Sequence, residues 1–83
     1  MSRFRIDIDN NTHIHYGFDN QGWPGPYYFW EMWSSPTGRE DDWREMSDSF
    51  EGNKTGLLQK MEEVGVDLFP EEHVTKVAMD LPI

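Results

Sequence analysis

The segment Tyr27–Trp33 reads Tyr-Tyr-Phe-Trp-Glu-Met-Trp. Strand alternation would place Tyr27, Phe29, Glu31 and Trp33 on one side and Tyr28, Trp30 and Met32 on the other. Neither side is polar. A small antiparallel sheet ordinarily buries one face and wets the other, so this strand demands cover on both sides, from a second element or from a partner. Eighty-three residues make one domain (1–83). A chain of that length builds its core from few, large side chains. Four Trp, five Phe and three Tyr supply the bulk and argue against disorder despite the charge.

Two further strands precede the aromatic one. Phe4, Ile6 and Ile8 alternate with Arg5 and Asp7, and Ile14, Tyr16 and Phe18 alternate with His13 and His15. A three-residue loop Asp9-Asn10-Asn11 would pair Ile8 with Thr12, Ile6 with Ile14 and Phe4 with Tyr16. A two-residue loop at Asn10-Asn11 would set Asp7 against Ile14 and mix the faces. The three-residue loop is therefore preferred, with an Asn beside a bulge. Asp19-Asn20-Gln21-Gly22 forms the next turn. Trp23-Pro24-Gly25-Pro26 reads as an irregular lead-in or an edge, because neither proline can donate a ladder hydrogen bond.

After Ser34-Ser35-Pro36 the pattern turns helical. Thr37 with Glu40 resembles a capping box, Trp43, Met46 and Phe50 share a stripe, and Gly52 stands as a C-terminal stop. A second helix starts at Asn53 or Thr55, carries Leu57, Leu58, Met61 and Val64, and closes at Gly65. Pro70, Glu71 and Glu72 open a third, with Pro70 at its first position. Its apolar stripe is Val74, Val77, Ala78 and Leu81, with a terminal strand over 74–81 as the competitor. The expected fold is α+β: a small three-stranded antiparallel sheet in residues 1–33, then a mainly helical part, 37–83, of two or three short helices packed on one face.

The residues give little support to catalysis. Without Cys the chain has no disulfide framework, no thiol nucleophile and no Cys-based metal site. His13-x-His15 points two imidazoles the same way, with Asp7 across from His13, but Arg5 beside His15 disfavours a cation. His73 beside Glu71 and Glu72 reads as a helix-surface residue. Ser34, Ser35, Ser47 and Ser49 lack a nucleophile elbow, and Gly56-Leu57-Leu58 is no phosphate loop. No enzyme activity, metal or cofactor is expected. The N-terminal residues and the absence of a long apolar run predict neither a signal peptide nor a membrane span, and a cytoplasmic location without membrane contact.

Sixteen acidic residues against seven Lys and Arg give a net charge of −9, which repels nucleic acid and either favours a basic partner or simply keeps the protein in solution. The excess is densest in residues 34–52, at −4. On a helix, Asp41, Glu45 and Asp48 would lie about 5–6 Å apart, with Glu40 and Asp42 extending the acidic surface. These five, with Tyr28, Trp30 and Trp33 as aromatic anchors, are the expected contacts to a protein partner bearing a basic, nucleic-acid-binding surface; nucleic acid itself is not an expected ligand. In size, acidity and lack of catalytic motifs the chain is similar to phage anti-CRISPR and anti-restriction proteins, and equally to immunity proteins for nuclease toxins. Those resemblances imply a cytoplasmic inhibitor that occludes a partner's binding site. A structural module, a homodimer joined through the strand Tyr27–Trp33, is the alternative from another class.

Overall fold

A computed structural model describes residues 1–46 and 48–83; Ser47, within the expected first helix, lies outside the described residues. Three strands form as their alternation requires: β1 (Phe4–Asp9), β2 (Thr12–Asp19) and β3 (Tyr27–Ser34). Phe4 opposes Tyr16 and Ile6 opposes Ile14, as the matched faces demanded. The turn differs from the three-residue loop. Asp9, not Ile8, pairs with Thr12, so Ile8 is the extra residue of a bulge and the loop shortens to Asn10-Asn11. The Asp9 carboxylate accepts the Asn11 N–H at 2.7 Å and holds that loop. Trp23 in the lead-in to β3 is 92% exposed, and Pro24 and Pro26 are exposed as well.

The expected helix over residues 37–52 is absent among the described residues. Glu40–Asp42 make one 3-10 turn, and two short strands follow, β4 (Arg44–Glu45) and β5 (Phe50–Gly52). Both pair antiparallel with β3. Glu45 opposes Trp33 and Phe50 opposes Trp30, two residues out of step, so one interrupted edge strand flanks β3. Thr37 does not cap a helix: its hydroxyl donates to Asp42 Oδ2 (3.0 Å) and accepts from Arg39 N–H (3.2 Å), bracing the turn. The sheet thus gains two strands over the expected three, in the order β1-β2-β3 with β4 and β5 beyond.

The remaining segments follow the sequence more closely. Helix α1 (Lys54–Val64) starts at Asn53, whose side-chain oxygen accepts the Gly56 N–H at 3.1 Å, and ends at Gly65, whose φ of 113° suits glycine. Helix α2 (Glu71–Ala78) follows Pro70, one residue later than expected, with Glu71 and Glu72 in its first turn. The competing strand over 74–81 does not form. The fold is α+β, an antiparallel sheet with two α-helices on one face among the described residues. Its core joins Ile14, Tyr16, Tyr28 and Trp30 of the sheet to Leu57 and Met61 of α1, Val77 of α2 and the intervening Phe69.

Two tyrosines tie this face to the C-terminal segment. Tyr28 Oη donates to the Leu81 carbonyl at 2.8 Å, and Tyr16 Oη stands 2.6 Å from His73 Nδ1. Burial pushes the Tyr16 hydroxyl up to about 12 and lowers His73 below the ordinary imidazole range. Both groups therefore stay neutral, and the tautomer of His73 sets which of them donates.

Candidate functional site

The helices cover only one side of the sheet. Strand alternation puts Tyr28, Trp30 and Met32 under the helices and Phe29, Glu31 and Trp33 on the opposite, helix-free side. Residues brought beside them by the register are Arg5 and Asp7 from β1, His13 and His15 from β2, and Glu45 and Glu51 from the edge strands, with Arg3 just ahead of β1 reaching the same face. This answers the demand for cover on both sides of β3 only in part. Arg3 lies 5.3 Å from the Phe29 ring centroid and bonds Glu31 at 2.5 Å, and Trp43 packs on His13 at 4.2 Å. Trp33 stays half-buried, its Nε1–H donating to Glu31 Oε1 at 3.2 Å.

The expected contact residues therefore separate. Tyr28 and Trp30, 2% and 0% exposed, belong to the core and cannot reach a partner in this conformation. Trp33 lies on the helix-free face beside Glu45. Asp41, Glu45 and Asp48 share no helix face, because that helix does not form. Glu40 and Asp41 project from the 3-10 turn, where Arg39 approaches Asp41 at 3.8 Å. Asp42 is occupied by Thr37 and Arg44, and Asp48 is bound by Lys60 of α1. Glu45 is exposed and accepts from the Ser49 hydroxyl.

Two acids outside the expected set join Glu45. Glu31 and Glu51 line, with it, a shallow depression of about 260 Å³ over Phe29. The sequence already placed Glu31 on the Trp33 side of its strand. Glu51 was hidden because a helical reading gives residue 51 no relation to residue 29, whereas the β5 pairing sets them side by side. Among the described residues Arg3 is the single Lys or Arg lining this depression, and Glu31 holds it.

The histidines form a second feature of the same face. The rings of His13 and His15 stack with centroids 4.8 Å apart, and His13 Nδ1 and both His15 nitrogens find no hydrogen-bond partner among the described residues. No three His, Asp or Glu side chains cluster in metal-holding positions among those residues. Burial lowers both imidazoles first; Arg5 and the neighbouring imidazole add to it for His13, and Arg3 and Arg5 for His15.

With His73 also lowered, all three histidines favour the neutral form when folded. The unfolded chain, with imidazoles near 6.5, then binds more protons, so stability falls as pH drops through 6.5 toward the folded-state values. Melting temperature is expected to be level above about pH 7.5 and to decline between about pH 6.5 and 5. Protonation also reduces the net negative charge, which acts the other way, so a decline identifies burial of the imidazoles as the stronger effect. A melting temperature unchanged over that range would contradict it.

No helix among the described residues is long and apolar enough to cross a membrane. Comparison of the chain with family models, with curated proteins and with solved structures returned no match.

Proposed function

We propose that the protein is a non-enzymatic inhibitor of the anti-CRISPR or anti-restriction type, which occupies a basic, nucleic-acid-binding surface on a protein partner. One observation carries the reading. Glu31, Glu45 and Glu51 surround a depression on the helix-free face, next to half-buried Trp33, and its one arginine is already paired. Lys or Arg side chains of a partner would enter between the carboxylates, while Trp33 supplies an apolar anchor of the kind that concentrates binding energy. Glu40 and Asp41 add negative potential that steers the encounter. Inhibition is steric and electrostatic, with no bond made or broken.

The test is affinity capture from cell extract on the immobilised protein, followed by identification of what is retained. A nucleic-acid-binding protein is the expected catch, released by added duplex DNA or by RNA. The triple substitution Asp41→Lys, Glu45→Lys, Glu51→Lys is expected to cut its retention by about tenfold or more and to flatten its salt dependence. Retention indifferent to these charges, or a catch that nucleic acid does not displace, would refute the reading. A nuclease toxin as the retained protein would assign the same surface to an immunity protein.

A further inference from the structure

The outer edge of β1 carries a charge pattern that is complementary to itself. We infer that β1 pairs antiparallel with β1 of a second copy, on a two-fold axis at Ile6, to extend the sheet across a homodimer. β3 is paired on both sides, so a dimer joined strand to strand through the aromatic strand is closed. β1 pairs only with β2 among the described residues.

The outward backbone groups fix which residues take part. Ser2 N–H bonds the Phe18 carbonyl at 3.0 Å, in the same register as Phe4 opposite Tyr16 and Ile6 opposite Ile14. Bonded pairs alternate along an antiparallel ladder, so even-numbered residues turn their backbone groups to β2. Arg3, Arg5 and Asp7 turn theirs outward. Within one chain Arg5 Nε bonds Asp7 Oδ1 at 2.8 Å. A two-fold axis at Ile6 sets this pair against its counterpart, Arg5 opposite Asp7 of the second copy and Asp7 opposite its Arg5, in a square of alternating charge, with both facing pairs making main-chain hydrogen bonds. On the helix-covered side Ile6 meets Ile6, and Ile8, the extra residue of the bulge, is 37% exposed in the single chain beside this edge.

The charges also select this register. Sliding by one pair places Arg5 against Arg5, and sliding the other way places Asp7 against Asp7. Like charges directly opposite are unfavourable, whereas opposite charges stabilise. The net charge of −9 opposes self-association in general, but Arg3, Arg5, Asp7 and Asp9 leave this edge neutral. At about 0.15 M salt, charges more than about 8 Å away are largely screened.

Mass in solution, measured at about 100 µM chain in that salt, tests the inference. The wild type is expected at twice 9.8 kDa. Arg5→Asp and Asp7→Arg should each associate about 10- to 50-fold more weakly and run as monomers with unchanged circular dichroism. Asp7→Arg is the stringent case, because it reduces the general repulsion between copies. In a mixture of the two single variants, one chain is acidic at both positions and the other basic at both. Every facing pair is then of opposite sign, and a heterodimer should form. A monomeric wild type, a single variant that still dimerises, or a mixture that stays monomeric would each overturn the inference.

Discussion

Replacing Trp30 with alanine is expected to lower the unfolding free energy by about 3–5 kcal/mol. For a domain of this length, whose whole stability is on the order of 4–12 kcal/mol, that is enough to leave much of the population unfolded on mild warming. Trp30 is 0% exposed on the central strand and packs against Phe69, with ring centroids 5.9 Å apart. Its effect divides into two parts that a second variant separates. The indole Nε1–H is buried and has no acceptor among the described residues, so Trp30→Phe removes an unpaired donor while keeping an aromatic ring. The lost volume and the removed desolvation penalty offset each other, and the expected cost is about 1 kcal/mol. Urea unfolding of both variants checks this. Equal costs would mean that the N–H has a partner after all, and a small cost for alanine would place Trp30 outside the core.

Gly17→Ala is expected to cost about 1–3 kcal/mol. An added Cβ would sit 2.2 Å from the Ser2 carbonyl oxygen and 2.9 Å from the Phe29 ring. The first of these is backbone, which cannot swing aside as a side chain can. Gly17 is therefore required for closeness: its strand has ordinary extended geometry, and its lack of a side chain lets Phe29 and the N-terminal residues lie down on the sheet. The substitution should push Ser2 away and break its two bonds to Phe18, Ser2 N–H to the carbonyl and Phe18 N–H to Ser2 Oγ at 3.1 Å. Hydrogen exchange at Phe18 reports this locally. Protection of that amide equal to wild type, with unchanged stability, would show that the N-terminal segment does not pack there.

The parts of the fold that were legible are those where local pattern and tertiary demand coincide. Ile6 and Ile14 found each other because alternation leaves one register that keeps the faces apolar and polar. Asn53 and Gly65 bound α1 because capping oxygen and positive φ are local requirements. Residues 37–52 were misread for the opposite reason. Thr37, Glu40 and the spacing of Trp43, Met46 and Phe50 satisfy a helix locally, yet β3 presents an open row of backbone donors and acceptors on its outer edge. Pairing that row with Arg44–Glu45 and Phe50–Gly52 outweighs a short helix rich in Asp and Ser, which are poor helix formers. Trp43 and Phe50 then lie on opposite sides of the sheet, Trp43 against His13 and Phe50 against Gly56.

The candidate site was legible only as charge. Sequence placed the acids in the right segment but on the wrong scaffold. It therefore grouped Asp48 with Glu45, although Asp48 is bound by Lys60, and set Glu51 behind the helix instead of beside Glu31. The two-sided aromatic strand posed the correct question. Helices answer it on the Tyr28–Trp30 side, and a patchwork of Arg3, Trp43 and the N-terminus answers it incompletely on the other.

The order of elements along the chain has a consequence for biosynthesis. β1 to β5 precede α1 and α2, so the residues that cover the aromatic side of the sheet are made after it. Until they pack, Tyr16, Tyr28 and Trp30 stay open to solvent or to a chaperone. At roughly 5–20 residues per second the thirty or so residues involved take a few seconds to make. A product terminated before α2 would lack Val77 and the His73 partner of Tyr16, and would present that aromatic side permanently as a sticky surface for aggregation or degradation.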